Sequence, residues 1–331
     1  MTSFKAYQVS EVEEKVFKGA LIERQIDDLP EGDVVIEVHY SSINYKDALS
    51  ASGNRGVTRS YPHTPGIDAA GIVTSSSSDD FKVGDQVVVV GYDLGMNTPG
   101  GFGQFIRVPA DWVINLPESM SLKESMILGT AGFTAALCIE KLLQNGVEPS
   151  NGSVLVTGAT GGVGIVAVSL LSKLGFSVTA STSKESAHEL LKDLGATELM
   201  DRSELSEETT KPMHREQWAA AVDVVGGSTL FNVVKSLKYG GSVAACGLVQ
   251  SPIFQASVLP FILRGVNLLG IDSVFLPIET KRRVWEKLGD QWKLENLDAL
   301  CTEIEFSNLD LSLATVLKGG ATGRFVLNLK S

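Results

Sequence analysis

Along the second half of the chain, apolar residues gather in short blocks at 154–157, 178–181, 220–224 and 243–246. Blocks of that length, rich in Val and Ala, predict buried strands, and the stretches between them predict helices. Strand and helix in alternation predict a parallel sheet covered on both faces. A further block at 268–271 predicts the last strand of that sheet. The first 125 residues carry a different pattern. Short apolar runs follow turn signals: 34–38 after Pro30-Glu31-Gly32-Asp33, 86–90 after Lys82-Val83-Gly84-Asp85, and 104–108 after Gly100-Gly101-Phe102-Gly103. That spacing predicts a β-rich, barrel-like domain. Ser121-Leu122-Lys123-Glu124 has the form of a capping box and opens a helix. Near the end, 279–288 predicts a helix and 323–329 a strand that rejoins the first domain. The chain thus divides into 1–125, 126–272 and 273–331, an α/β protein.

The densest signal is Val154-Leu155-Val156-Thr157-Gly158-Ala159-Thr160-Gly161-Gly162-Val163-Gly164. An apolar strand enters a glycine-rich turn, and an apolar helix leaves it. Free amides and the helix dipole favour an anion at such a helix start. Gly162 and Gly164 remove side chains that would block a pyrophosphate. Two dehydrogenase fingerprints fit the run. The short-chain pattern also needs a downstream Tyr-x-x-x-Lys pair. The single tyrosine after the turn is Tyr239, followed four residues later by Val243. That reading fails on its own catalytic requirement.

The 331 residues are 44% hydrophobic and 20% charged, ordinary globular values that leave room for two cores. A formal net charge of −11 argues against a nucleic-acid partner, because phosphate binding needs clustered positive charge. No uninterrupted apolar run approaches the ~20 residues of a membrane span. Residues 1–5 lack an apolar signal core. Three widely spaced cysteines suit a reducing compartment, so a cytoplasmic location is expected.

Several motifs, in order, resemble the medium-chain dehydrogenase/reductase superfamily: Ser42-Ile43-Asn44-Tyr45-Lys46-Asp47, Pro65-Gly66-Ile67-Asp68-Ala69-Ala70-Gly71, Val83-Gly84-Asp85-Gln86-Val87, Gly129-Thr130-Ala131-Gly132-Phe133-Thr134-Ala135, and the glycine turn. Asn44-Tyr45-Lys46-Asp47, Pro260-Phe261-Ile262-Leu263-Arg264 and Gly270-Ile271-Asp272-Ser273-Val274 narrow the resemblance to its YhdH/YhfP group of quinone-oxidoreductase-like proteins, which includes acrylyl-CoA reductase. The resemblance implies a GroES-like β-rich catalytic domain and a Rossmann, doubly wound parallel-sheet domain. It also implies zinc-independent, NADPH-dependent reduction of an activated double bond in a small-molecule substrate, an enoyl-CoA or a quinone. A homodimer is expected through the apolar strand near 266–271, and no membrane or nucleic-acid partner. An NADPH quinone reductase and a non-catalytic NADPH-binding protein are the competing readings.

No metal is expected. Asn44 and Tyr45 stand where zinc-dependent relatives carry a cysteine, and Gly66-Ile67-Asp68 where they carry Gly-His-Glu. For the cofactor, the turn residues Thr160, Gly161, Gly162 and Val163 would face the pyrophosphate. The second strand ends in Ser181-Thr182-Ser183-Lys184, with hydroxyls and a cation where an NAD site usually places a carboxylate. With Arg202, these residues favour the 2′-phosphate of NADPH. Thr130, Leu248, Ile262 and Ser273 would line the nicotinamide by resemblance. Hydride addition to an enoyl thioester builds an enolate that needs a hydrogen bond and a proton. Asn44 can donate the first and Tyr45 the second, or Tyr45 can instead position the cofactor. Lys46 and Asp47 read as a structural ion pair. Positive charge at 55–59 and 281–283 offers candidate contacts for a CoA phosphate.

Overall fold

A computed structural model describes residues 2–207 and 209–330. The chain forms two compact units. One takes the residues up to Thr130 together with those from Ser273 onward; the other is Ala131–Asp272.

The first unit opens with a hairpin of β1 (Ser3–Glu13) and β2 (Val16–Gln25), paired antiparallel. Then come β3 (Val34–Ser42), α1 (Tyr45–Ala51), β4 (Asp68–Ser76), β5 (Gln86–Val90), β6 (Phe105–Val108) and β7 (Val113–Asn115). These strands wrap a core that includes Val34, Ile36, Val38, Val87, Val89, Phe102 and Ile106, all nearly or fully buried. The alternating pattern of β1 matches its half-buried face. Helix α2 (Leu122–Gln144) begins with the expected box. Ser121 N donates to Glu124 Oε2 at 2.7 Å, and Glu124 N donates to Ser121 Oγ at 3.2 Å. It is long and apolar enough to cross a membrane by length and composition alone, although charged residues interrupt its apolar run. Burial in the protein explains that apolarity, and Gly129, at φ 50° and ψ −156°, breaks the helix into two halves.

The second unit carries β8 (Val154–Val156), α3 (Gly162–Lys173), β9 (Val178–Ser181), α4 (His188–Asp193), β10 (Glu198–Met200), α5 (Ser203–Ser206), β11 (Trp218–Asp223), α6 (Gly227–Ser236), β12 (Leu237–Ala245), α7 (Leu259–Arg264) and β13 (Asn267–Gly270). Among the described residues its strands form one parallel sheet in the order β10-β9-β8-β11-β12-β13. That is the doubly wound order in which the chain reverses direction between the first and fourth strands, leaving a crevice beyond their carboxyl ends. Strand β12 starts six residues before the apolar block at 243–246. The Tyr239-Gly240-Gly241 segment, with exposed Tyr239 and Gly240 at φ 72°, disguises its first half as a turn.

The tail returns to the first unit through α8 (Ile278–Gly289), β14 (Cys301–Ile304), α9 (Leu309–Leu317) and β15 (Arg324–Asn328). Val326, Leu327 and Asn328 of β15 pair antiparallel with Ser42, Ser41 and Tyr40 of β3. The C-terminal strand thereby lies beside the end of the strand that leads into Asn44 and Tyr45.

Candidate functional site

Most of the sequence-predicted residues fall into two groups, one in each unit, and each group is built differently. In the second unit, β8 runs into a turn at Gly158 (φ 57°), and α3 starts after Gly161. The turn is fixed by main-chain bonds: Ala159 N to Ser181 O at 3.1 Å and Gly161 N to Gly158 O at 3.0 Å. The bond from Ile165 N to Gly161 O (2.9 Å) closes the first helical turn. Helix geometry then leaves the amides of Gly162 and Val163 without intrahelical acceptors. A Cβ on Gly164 would lie 2.3 Å from Gly158 O and 2.7 Å from Ala159 Cα, so the helix can approach the turn this closely only with glycine there. At Gly161 the nearest atom to a Cβ would be Gly158 O at 3.4 Å, leaving that side of the turn comparatively open.

Thr160 and Thr182 are both buried, with hydroxyls 3.4 Å apart, and Thr182 Oγ1 accepts the Lys184 amide at 3.1 Å. Burial, and then the charge of Arg202, hold the Lys184 ammonium below its ordinary value. Two cations thus sit within reach of each other beside the exposed Ser183. Such an arrangement gains from an anion, and it lies at the end of β9 beyond the glycine turn. At the end of β11, Asp223 accepts Thr157 Oγ1 at 2.7 Å and Gly226 N at 2.8 Å, and burial pushes its carboxyl up to about 6. This pair ties the two strands at the point of reversal. The residues present fit a dinucleotide: a glycine cradle, open helix amides, hydroxyls and two cations. Leu248 and Ile262 are exposed apolar side chains of the same unit, and Ser273 is where the chain returns to the first unit.

In the first unit the centre is Asp68, the fully buried first residue of β4. Its carboxylate accepts Ser42 Oγ (2.5 Å), Asn44 Nδ2 (2.7 Å), Thr130 N (2.9 Å) and Thr130 Oγ1 (2.5 Å). The buried guanidinium of Arg324 donates to Ser42 Oγ (2.9 Å), Asn44 Oδ1 (3.2 Å) and the carbonyls of Ile127 (3.1 Å) and Ile43 (3.3 Å). Its Nη2 lies 3.9 Å from Asp68 Oδ2. Burial pulls the guanidinium down, and the charges of Asp68 and Asp47 oppose that. The hub joins β3, β4, β15 and the break in α2. A Cβ at Gly129 would lie 2.5 Å from both Asp68 Oδ2 and Ser42 Oγ, so the break passes here because residue 129 has no side chain. The carboxylate also caps the second half of α2, where negative charge is favoured.

Asn44 is buried and precedes α1; its amide belongs to this hub, donating to Asp68 and, at 3.4 Å, to the Ser42 carbonyl. Tyr45, the first residue of α1, is 38% exposed, so its side chain remains open to solvent and ligands. The Thr130 hydroxyl, expected against a carboxamide, donates to Asp68. Asp68 and Arg324 were not singled out in the sequence. A lone arginine inside the apolar run Gly323-Arg324-Phe325-Val326-Leu327 was the available signal, since an arginine there must find buried acceptors.

These residues do not fit zinc. Asp68 is ringed by hydroxyl and amide donors and faced by a guanidinium, and Ile67 offers no ligand atom from its side chain. Among the described residues no group of three His, Cys, Asp or Glu side chains could hold a metal ion. The CoA-phosphate candidates are partly engaged elsewhere. Arg55 pairs with Glu11 at 2.5 Å and stacks over Tyr61. Lys281 is buried, donating to the carbonyls of Val90 (2.7 Å) and Val274 (2.9 Å), and Arg282 pairs with Glu279 at 3.0 Å.

Residues 30–118 match the family described as alcohol dehydrogenase GroES-like domain, and 162–289 match that described as zinc-binding dehydrogenase. The chain is 45% identical over 304 residues to the putative quinone oxidoreductase YhfP of Bacillus subtilis, covering 92% of each. It is 43% identical over 314 residues to the acrylyl-CoA reductase AcuI of Ruegeria pomeroyi, covering 95% of each. The fold superposes on the yhdH oxidoreductase of Salmonella enterica in complex with NADP with a TM-score of 0.94, at 38% identity, covering 98% of this chain and 99% of that one. For B. subtilis yhfP with NAD bound the TM-score is 0.96, at 43% identity, covering 99% and 100%.

Proposed function

The chain belongs to the zinc-independent quinone-oxidoreductase and acrylyl-CoA reductase group of the medium-chain dehydrogenase/reductase superfamily, and on that premise we propose that it reduces the activated double bond of an enoyl thioester with NADPH, acrylyl-CoA being the first substrate to test. The observation that carries the cofactor choice is Lys184 held beside Arg202 at the end of β9, where an NAD site would carry an acid. When bound, NADPH supplies the hydride. The chain's own residues do the rest. Amides at the start of α3 bind the pyrophosphate, and Lys184, Arg202 and Ser183 take the 2′-phosphate. Tyr45 gives a proton to the α carbon as negative charge develops on the thioester. Asn44, held by its bonds to Asp68 and Arg324, fixes the backbone that leads into Tyr45. In the second unit, the exposed apolar Leu248 and Ile262 are assigned to the nicotinamide.

Quinone reduction is the second reading, favoured by the likeness to YhfP. Stopped-flow NADPH oxidation with acrylyl-CoA, crotonyl-CoA and a benzoquinone tests both. Turnover of the thioesters well above the quinone is expected. The reverse preference moves the protein to quinone chemistry, and binding of NADPH without oxidation by any of the three makes it a non-catalytic binder. The exposed edge strand β13, with Leu268 at its surface, favours pairing with a second copy. Light scattering at micromolar concentration should give twice the chain mass; a monomer would remove the dimer.

A further inference from the structure

Asp47 is fully buried at the third position of α1. Its Oδ2 accepts the Asn44 amide at 2.7 Å, and its Oδ1 accepts the amides of Ile67 at 2.9 Å and Gly66 at 3.1 Å. One carboxylate therefore fastens the start of α1, whose first residue is Tyr45, to the turn that leads into β4. The chemistry proposed above gives it no direct part. A protonated carboxyl would serve these amides poorly, because one oxygen becomes a hydroxyl whose hydrogen needs an acceptor of its own. We propose that Asp47 is a positioning residue whose ionised carboxylate fixes the start of α1, and so the Tyr45 hydroxyl, for proton delivery; turnover then requires Asp47 to be deprotonated. This rests on the reading of Tyr45 as proton donor.

Ionising Asp47 works against the fold. Burial, and then the charge of Asp68, push its carboxyl up to about 7, against the pull of the three amides. Asp68 faces it from β4 and Arg324 from β15, while Tyr45 and Lys46 precede it on α1. The folded value lies above the unfolded value of about 4, so between the two the folded chain holds a proton that the unfolded chain has lost. The stability this group contributes is complete below about pH 4 and is lost as pH rises through about 7. Turnover should move the other way, rising as Asp47 ionises. A residue needed only for the fold would make activity follow stability.

The test uses the full chain and Asp47→Asn, which keeps the shape and removes the titration. Single-turnover NADPH oxidation is followed from about pH 5 to 9 beside the thermal midpoint. For the wild type, the rate should fall about tenfold per pH unit below pH 7. Its midpoint should fall with rising pH more steeply than that of the variant. Asp47→Asn should be slow and lack this acid limb, with its NADPH dissociation constant within about twofold of wild type. A variant that keeps the wild-type limb overturns the proposal, as does a wild-type rate that is flat from about pH 6 to 8. The second outcome needs no variant, so it decides the matter even if Asp47→Asn does not fold. Absence of turnover at pH 8 with every substrate would instead overturn the proposed function.

Discussion

The glycine turn of the second unit and the Asp68 hub of the first do similar jobs by opposite means. The turn is contiguous: strand, glycines and helix start lie within eleven residues, and main-chain bonds hold its shape. The hub gathers Ser42, Asn44, Asp68, Thr130 and Arg324 from across the chain and is held by side chains. The turn presents donors outward to a ligand. The hub turns its donors and acceptors on one another and leaves Tyr45 at its margin. The hub should therefore fail by unfolding when one member is lost, and the turn by losing its ligand.

Arg324→Met separates the two most sharply. It leaves Asp68 buried without its guanidinium, and removing one partner of a buried pair costs about 3–5 kcal/mol. Chemical denaturation should show a loss of that size; a loss below about 1 kcal/mol would mean the hub's hydroxyls and amides suffice without the cation. Tyr45→Phe should leave stability nearly unchanged and lower single-turnover hydride transfer by roughly 10²-fold, the usual scale for losing a general acid. If the hydroxyl instead holds NADPH, the same variant will show faster cofactor dissociation.

What the sequence makes legible follows the same division. The alternation of strand and helix, the glycine turn and the basic end of β9 rest on local patterns, and the strands predicted at 178–181 and 220–224 fall on β9 and β11. The capping box at Ser121 forms with both of its bonds. The hub was not legible as a unit. Asp68 stood inside a motif with no role attached, and Arg324 looked like one charge in a strand. Nothing local ties residue 324 to residue 44, because that contact depends on β15 pairing with β3. Helices α1 and α9 were likewise hidden, being shorter than the apolar period can reveal.

Smaller effects are expected at the turn. Gly164→Ala places a methyl 2.3 Å from Gly158 O. Overpacking of this kind costs about 1–3 kcal/mol, and here it should also weaken NADPH and NADH alike. A melting temperature and affinities equal to wild type would show that α3 can move away from the turn freely. Lys184→Glu is the mildest change. It should weaken NADPH about tenfold or more while NADH changes little, because the new charge opposes the phosphate. Equal losses for both cofactors would take Lys184 out of the 2′-phosphate site.

In the proposed reaction the hydride comes from NADPH and the second hydrogen from a protein acid refilled by water. One labelling experiment addresses it directly. NADPH deuterated at both C4 positions is mixed with acrylyl-CoA and the protein in ordinary water, and the propanoyl-CoA is read by NMR. One deuterium is expected at the β carbon and none at the α carbon. Deuterium at the α carbon, or product without deuterium, would contradict it.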